Sequence, residues 1–179
     1  MKRYLKTVIA FTKTFGTTGA ISESSRFVEN EITKAVKPDT PQIIVEFGGG
    51  HGNITQMILS KMHPDSVLYT YEIEDEFLPF LMQIQDKRLH VIHDSAERLL
   101  QKVKPQSVDV VISSLPLTMI PKKVGFQILA KAKEALKPKG SYHQFLYTFQ
   151  KGRFEKHFSK IKVRPVLNFP IAFIYHCQK

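Results

Sequence analysis

The sequence has only one cysteine, Cys177, in 179 residues. A single cysteine excludes an internal disulfide and a cysteine-rich metal site, so we expect a reducing compartment and no bound metal. No apolar run approaches the ~20 residues of a membrane-spanning helix, and the first residues lack the apolar core and cleavage site of a secretory signal. These absences favour a cytoplasmic protein in which residues 1–179 form a single domain.

Acidic residues are scarce relative to basic ones. The sequence has 26 lysines and arginines against 16 acidic residues, which gives a net charge of +10. The basic excess is concentrated in residues 1–20, 121–140 and 151–179. It predicts an anionic partner, either nucleic acid or a membrane surface, with ordinary solvated faces as the alternative. Because 42% of the residues are hydrophobic, the chain can bury a core and is not a disordered basic tail.

The N-terminal segment, residues 1–37, is predicted to contain two helices, over 3–15 and 25–36. In the first, a turn of about 100° per residue places the apolar side chains on one arc and the basic ones on the other. An apolar face bordered by lysines suits an in-plane position on an anionic membrane. Such helices more commonly pack on their own domain, which is the alternative.

The rest of the chain alternates apolar strands with helices. Strands are predicted over 43–47, 67–73, 89–93, 108–113, 141–148, 161–167 and 171–177. Helices are predicted over 54–62, over 75–85, after Ser95, and over 121–137. This alternation builds parallel βαβ units, whereas the short connection at 168–170 reverses the last strand. We therefore predict an α/β, Rossmann-like sheet of seven mostly parallel strands, with an antiparallel last strand and helices on both faces.

A glycine cluster follows the first predicted strand and precedes a helix, which is where a doubly wound sheet binds nucleotides. It lacks the lysine of a P-loop and the third glycine of an NAD-binding fingerprint, because position 53 is asparagine. The pattern is instead Glu-x-Gly-x-Gly-x-Gly over 46–52. Its candidate ligand-binding residues are Glu46, Gly48, Gly50 and Gly52.

Polar residues end the next two predicted strands. Glu72 ends the second strand, where a carboxylate pairs with ribose hydroxyls in dinucleotide folds. Asp94 and Ser95 end the third strand, where a polar side chain can bind an adenine amino group. Helix capping is the alternative for each of these residues alone. Together with the glycine loop they predict an adenosine-type ligand.

The loop 46–52, Glu72, the turn 94–96 and the reversed last strand resemble a class I S-adenosylmethionine-dependent methyltransferase. The segments 18–27, 113–117, 144–145 and 168–175 are similar to the bacterial phospholipid N-methyltransferases. These enzymes methylate phosphatidylethanolamine or, in some relatives, ornithine lipids, and they are related to ribosomal RNA adenine dimethyltransferases. The resemblance implies that S-adenosylmethionine is bound by Glu46, Gly48, Gly50, Gly52, Glu72, Asp94, Ser95, Ala96 and Ser114. The family often has Gly-Asp-Ala or Gly-Ser-Ala at 94–96, so the residue that meets the adenine stays open.

The methyl acceptor is expected after the fourth strand, at Ser114-Leu115-Pro116-Leu117. Enzymes that act on a flipped adenine hold it by its edge and its face, and related sites have an aromatic ring where this sequence has Leu117. We interpret the leucines as the lining of a pocket for a small aliphatic amine, with core packing as the alternative. The candidates for orienting the amine or taking its proton are Ser114, the Leu115 carbonyl, His143 and Tyr147. For His143 a structural role is the commoner one.

These observations predict an N-methyltransferase that acts on a lipid head-group amine such as that of phosphatidylethanolamine. We expect it to lie on the inner face of the membrane, with the helix over 3–15 on anionic lipid. An rRNA N6-adenine methyltransferase and a small-molecule N-methyltransferase are the alternatives. Nucleic acid is the less favoured partner because Leu117 cannot stack on a base. A non-catalytic module is disfavoured because the glycine loop and Glu72 are both intact.

Overall fold

The computed structural model describes residues 25–179, so the helix predicted over 3–15 lies outside the described residues. The described part forms a seven-stranded sheet in the order β3-β2-β1-β4-β5-β7-β6. The strands are β1 Ile43–Phe47, β2 Val67–Glu72, β3 Leu89–His93, β4 Val108–Ser113, β5 Leu136–Leu146, β6 Lys160–Val166 and β7 Ala172–Gln178. Neighbouring strands are parallel except where β7 takes part. The prediction of a Rossmann-like sheet with a reversed last strand is confirmed.

Helices cover both faces of this sheet. They are α1 Arg26–Ile32, α2 Asn53–Lys61, α3 Leu78–Met82, the 3-10 helix Ala96–Gln101, α4 Lys122–Ala135 and α5 Lys151–Glu155. On one face, Ile32 of α1 and Ile58 of α2 share a buried cluster with Ile44 of β1. On the other face, Leu129 of α4 shares a second cluster with Val111 of β4. Coverage on both sides explains why the central strands are continuous apolar runs. Among the described residues, no helix has the length and apolar character needed to cross a bilayer.

Several boundaries differ from those that the sequence predicts. Strand β5 begins at Leu136, directly after α4, although Pro138 and Gly140 predict a loop there. The pairing between β4 and β5 is irregular between Val108 and Val110, and this irregularity accommodates the extra residues of β5. Proline is tolerated in a strand where the ladder is interrupted, because its missing N–H then costs no hydrogen bond. The helix predicted over 75–85 is limited to α3, and α5 has no counterpart among the predicted helices.

The carboxyl ends of the parallel strands meet at one edge of the sheet. Strand β7 runs the other way, so its first residues lie at this edge as well. Phe173 pairs with Leu146 at the end of β5, and Ala172 pairs with Val166 at the end of β6. The turn over 167–171 therefore lies at the same edge as the glycine loop that follows β1. This edge is where ligands bind in open α/β sheets.

Candidate functional site

The glycine loop after β1 is built from backbone hydrogen bonds and tight packing. The Gly48 N–H donates to the Tyr71 carbonyl at 2.8 Å. Gly48 has φ of +79°, and a Cβ there would lie 2.9 Å from Ser114 Oγ, so no larger residue fits. Gly50 also has a positive φ, of +52°, but a Cβ there would meet nothing within 4 Å. Glycine is thus required at 48 by packing and conformation, whereas at 50 the loop borders open space where a ligand can approach the backbone.

The carboxylate of Glu72 joins the end of β2 to the glycine loop. Its Oε2 accepts the Gly50 N–H at 2.9 Å, and its Oε1 accepts the N–H groups of Ile73 at 2.8 Å and Glu74 at 3.0 Å. Hydrogen bonds to a charged acceptor are stronger than neutral ones, so three donors fix this side chain firmly. Glu72 and the glycine loop, which the sequence analysis assigns to one ligand, therefore lie in direct contact.

Glu46 lies buried beneath the loop, at the end of β1. Its Oε2 accepts the hydroxyls of Thr55 at 2.7 Å and Thr70 at 2.8 Å. Its Oε1 is buried and has no hydrogen-bond partner within the described residues. Burial raises the pKa of Glu46 from its ordinary 4.5 to about 7, although the two threonine hydroxyls oppose the shift. A buried acceptor without a partner is costly, so this oxygen is a site where a bound donor would gain binding energy.

Replacing Glu46 by glutamine is expected to flatten the pH dependence of stability. Because the folded pKa of about 7 exceeds the ordinary 4.5, the folded state loses stability as the pH rises through this interval. Glutamine keeps an acceptor oxygen for the threonines and carries no charge. We expect Glu46→Gln to be more stable than the wild type at high pH by up to about 3 kcal/mol, with little difference at low pH, as measured by urea unfolding. The exposed Glu76→Gln is the matched control, and equal pH profiles for the wild type and Glu46→Gln would contradict the assignment.

The three residues of the turn after β3, Asp94, Ser95 and Ala96, have different surroundings. Ser95 caps the 3-10 helix, since its hydroxyl oxygen accepts the Glu97 N–H at 3.3 Å. Ala96 is buried. The Asp94 carboxylate accepts the Ser95 N–H at 2.7 Å and lies 3.5 Å from Arg98, and its side chain is 30% exposed. The capping alternative therefore holds for Ser95, and Asp94 is the residue of this turn with polar atoms left for a ligand.

Ser114 and Leu115 connect the end of β4 to the loop and to β5. The Ser114 hydroxyl donates to the Gly48 carbonyl at 2.6 Å. The Leu115 carbonyl accepts an N–H of Gln144 at 3.0 Å, and Gln144 in turn accepts the Tyr142 hydroxyl at 2.6 Å. Gln144 is fully buried. A buried amide with its partners in place orients the Leu115 carbonyl. The alternation of side chains along β5 separates Gln144 from His143 but does not show which of the two faces the site.

The interpretation of Leu117 as pocket lining is wrong. Its side chain is 0% exposed and belongs to the core cluster beneath α4. Four residues after the end of β4, the chain has turned back onto the sheet and buries an apolar side chain there. Leu117 thus supplies no surface on which a base could stack.

The other two candidate catalytic residues are His143, in β5, and Tyr147, directly after the end of β5. His143 faces the α1 side of β5, where its ring lies 2.8 Å from His176 Nδ1 and 2.8 Å from the Ser141 hydroxyl. Burial lowers the pKa of His143 to about 3, which makes it a very weak base. Tyr147 packs against Phe145 with ring centroids 4.8 Å apart, and burial raises its pKa, so it remains a protonated phenol at neutral pH. The low pKa of His143 makes it a poor base for the acceptor amine, whereas the role of Tyr147 remains a prediction.

Comparisons with known proteins agree with this geometry. Residues 44–140 match a family model described as a methyltransferase domain. The chain is also 24% identical over 168 residues to an ornithine lipid N-methyltransferase from Singulisphaera acidiphila, an alignment that covers 89% of this chain and 87% of that protein.

Solved structures share the fold. A SAM dependent methyltransferase from Aquifex aeolicus has a TM-score of 0.68 at 12% identity, over 93% of this chain and 97% of that one. Spermidine synthase from Thermotoga maritima has a TM-score of 0.70 at 14% identity over 88% of this chain, and the chain spans 61% of its length. At these identities the likeness is one of architecture.

Proposed function

This chain belongs to the methyltransferase domain family and is an S-adenosylmethionine-dependent methyltransferase, and we propose that it methylates the amine of a lipid head group at a membrane surface. The observation that carries the proposal is an exposed apolar turn at the same sheet edge as the glycine loop. The similarity to an ornithine lipid N-methyltransferase supports a lipid amine. Phosphatidylethanolamine and ornithine lipid are the two head groups that we consider.

The residues at this edge fit S-adenosylmethionine. Open space borders Gly50, and the carboxylate of Glu72, beside its three backbone donors, keeps a lone pair on Oε2 as an acceptor for a ribose hydroxyl. We assign Asp94 to the adenine amino group because Ser95 is occupied as a helix cap. The unpartnered Oε1 of Glu46 offers a further acceptor beneath the loop. When bound, the cofactor supplies an electrophilic methyl group on a sulfonium.

The chain's own contribution to the reaction is to orient the acceptor amine. A carbonyl oxygen has two lone pairs. On Leu115 both are used, by the Gln144 N–H at 3.0 Å and the Leu117 N–H at 2.8 Å, so this carbonyl holds the backbone after β4 in place. The neighbouring Ser114 hydroxyl donates to the Gly48 carbonyl and keeps its own lone pairs, one of which can accept an N–H of the acceptor amine and aim its nitrogen lone pair at the methyl group. A desolvated site favours the neutral amine over ammonium. Orientation of this kind supplies much of the rate acceleration when the leaving group is already good.

Replacing Gln144 by leucine is expected to lower kcat with little change in cofactor affinity. The variant keeps the side-chain size but removes one of the two hydrogen bonds that hold the Leu115 carbonyl and leaves the Tyr142 hydroxyl without its acceptor. A small misplacement of the acceptor reduces kcat roughly 10- to 100-fold. The measurement is steady-state kinetics together with cofactor binding by calorimetry, and the exposed Gln101→Leu is the control. An unchanged kcat in a folded Gln144→Leu protein would show that Gln144 does not position the segment that orients the acceptor amine.

The turn over 167–171 supports a membrane surface as the place of action. Leu167, Phe169 and Ile171 are 72%, 82% and 57% exposed. The turn is tied to the start of α1, because the Ser25 N–H and hydroxyl donate to the Asn168 side chain at 3.2 Å and to the Leu167 carbonyl at 3.0 Å. Large exposed apolar side chains on an anchored turn are typical of interaction surfaces.

The charge around this turn suits an anionic bilayer. Arg164 lies two positions before the end of β6 that leads into the turn, and residues 156–179 contain no acidic residue. An apolar tip with basic flanks combines insertion between lipids with attraction to anionic head groups. The helix predicted over 3–15 has the same combination of properties and is proposed as a second anchor. Together they would place the protein at the inner face of the membrane.

The identity of the acceptor is tested with vesicles that differ only in one lipid. Phosphatidylglycerol vesicles carry phosphatidylethanolamine, ornithine lipid or N-acetylated phosphatidylethanolamine, and labelled S-adenosylmethionine reports transfer. We expect label in one or both amine-bearing lipids and none in the acetylated lipid or in phosphatidylglycerol alone. Equal labelling with and without a free amine would contradict amine methylation.

A further inference from the structure

The half of the sheet farthest from the glycine loop carries a cavity that the proposed methyl transfer does not use. Its volume is about 500 Å³, and it lies against β5, β7 and β6. Its polar lining residues are Ser141, His143, Lys160, Lys162, His176 and Gln178. Strand pairing arranges them in two rows, Ser141–Gln178–Lys160 and His143–His176–Lys162. Residues in such rows point to the same face, so all six converge on one space.

Two lysines, Lys160 and Lys162, give the lining of this cavity a positive charge. Neither Lys160 nor Lys162 takes part in the ion pairs found within residues 25–179. Glu31 of α1 approaches the same face, but it already pairs with Lys34 and hydrogen-bonds to His176. Two lysine ammonium groups beside neutral hydrogen-bonding side chains leave a net positive charge that an anion would balance.

We infer that this cavity binds a phosphate-class oxyanion, either inorganic phosphate or the phosphate of a soluble monoester. The two ammonium groups supply charge, and the Ser141 hydroxyl and Gln178 amide supply neutral donors, which together match a tetrahedral oxyanion. Six residues of β6, or about 20 Å, separate Lys160 from the turn end of the strand. A bilayer in contact with the turn does not reach the cavity, so the expected ligand is soluble and not a lipid head group.

A chain of hydrogen bonds sets the direction in which Ser141 points its proton. Ser141 Oγ lies 2.8 Å from His143 Nε2, His143 Nδ1 lies 2.8 Å from His176 Nδ1, and His176 Nε2 lies 3.0 Å from Glu31 Oε1. A carboxylate only accepts, so His176 carries a proton on Nε2. With both rings neutral, His143 must donate to His176 and Ser141 must donate to His143. The serine then shows only its lone pairs to the cavity, which an anion does not bind.

Adding one proton to His176 reverses the chain. His176 then donates from Nδ1 to His143, and His143 donates from Nε2 to Ser141. The serine hydroxyl is released to donate into the cavity, so oxyanion binding is coupled to the uptake of one proton. The groups that face His176 are Glu31 of α1 and Lys34 just after it, His143 of β5, and Lys162 and Arg164 of β6. Burial lowers the pKa of His176. Without an anion at neutral pH, His176 is therefore neutral and the Ser141 hydroxyl donates to His143 and not into the cavity.

Calorimetry with sulfate and phosphate tests the site in the full chain. We expect one binding site in the wild type. In the double variant Lys160→Gln/Lys162→Gln we expect the affinity for both anions to fall by roughly tenfold or more. The control is Lys104→Gln, an exposed lysine outside the cavity, which should bind like the wild type. Equal affinity in the double variant and the wild type, with unchanged thermal denaturation, would overturn the proposal.

The proton coupling is tested with sulfate, whose own charge does not change near neutral pH. We expect wild-type affinity to weaken up to roughly tenfold per pH unit between about pH 6 and pH 8. In Ser141→Ala, which removes the group that the protonated chain presents, this dependence should shrink. A wild-type affinity that does not change with pH would overturn the coupling.

The source of the oxyanion is tested with vesicles. Phosphatidylglycerol vesicles should not compete with sulfate, whereas a soluble phosphomonoester should. Competition by vesicles but not by the monoester would overturn the assignment to a soluble ligand. Methyl transfer by the double lysine variant serves as a separate readout, so a failure at this cavity remains distinct from a failure of the proposed methylation.

Discussion

Replacing Glu72 by glutamine is expected to weaken the binding of S-adenosylmethionine roughly 100-fold or more. The carboxylate of Glu72 accepts three backbone N–H groups, and each of its oxygens has at least one such donor. A carboxamide turns one of these oxygens into an N–H donor that faces Gly50 or the pair Ile73 and Glu74. The variant therefore loses the charge for ribose hydroxyls and also frees the glycine loop from β2.

Cofactor affinity by calorimetry is the measurement, with thermal denaturation alongside it. Glu76→Gln is the matched control, because Glu76 is an exposed acidic residue four positions away. We expect near wild-type affinity in this control. A folded Glu72→Gln protein that bound the cofactor as tightly as the control would show that the ligand does not occupy this edge of the sheet.

Replacing Leu167 and Phe169 together by serine is expected to weaken binding to anionic vesicles roughly 100-fold or more, because burying each large apolar side chain contributes about 1.5–3 kcal/mol. The two side chains are 72% and 82% exposed, so the folded protein gains little from them and its stability should not change. Lipid methylation should fall with vesicle binding. Methylation of the same lipid dispersed in detergent should fall much less, because the turn then has no bilayer to enter.

Vesicle flotation at low ionic strength measures this effect. Met82→Ser is the matched control, because Met82 is 62% exposed but lies far from the turn. It belongs to α3, which follows β2 on one side of the sheet, whereas the turn joins β6 and β7 on the opposite side. Flotation of the double variant at the wild-type level would show that the turn is not the membrane contact. The helix predicted over 3–15 would then be the remaining candidate, and deletion of residues 1–15 would test it.

The sheet was predictable because its strands are short apolar runs separated by turn residues. Strands β3 and β4 have the predicted ends, and the connection at 168–170 reverses β7 as predicted. The start of β5 was not predictable. Pro138 and Gly140 are turn-forming residues in the sequence, and their place in a strand depends on an irregularity in the pairing with β4.

The positions of the proposed cofactor residues in the fold were also predictable, since each lies at or directly after the end of a strand. The acceptor half was less so. Alternation shows that Gln144 and His143 point to opposite faces but not which face carries the reaction. Only the tertiary contacts place Gln144 on the Leu115 carbonyl and His143 on His176, which is 33 positions away in the sequence. Leu117 was misread because the fold of the chain after β4 buries it.

The most direct test of the central proposal is to incubate the protein with labelled S-adenosylmethionine and a mixture of total bacterial lipid and total RNA. The mixture is then separated, and the label is counted in each fraction. We expect the label in the lipid fraction, on a head-group nitrogen, and we expect it to be lost in the Glu72→Gln protein. Label in the RNA with none in the lipid would contradict a lipid N-methyltransferase.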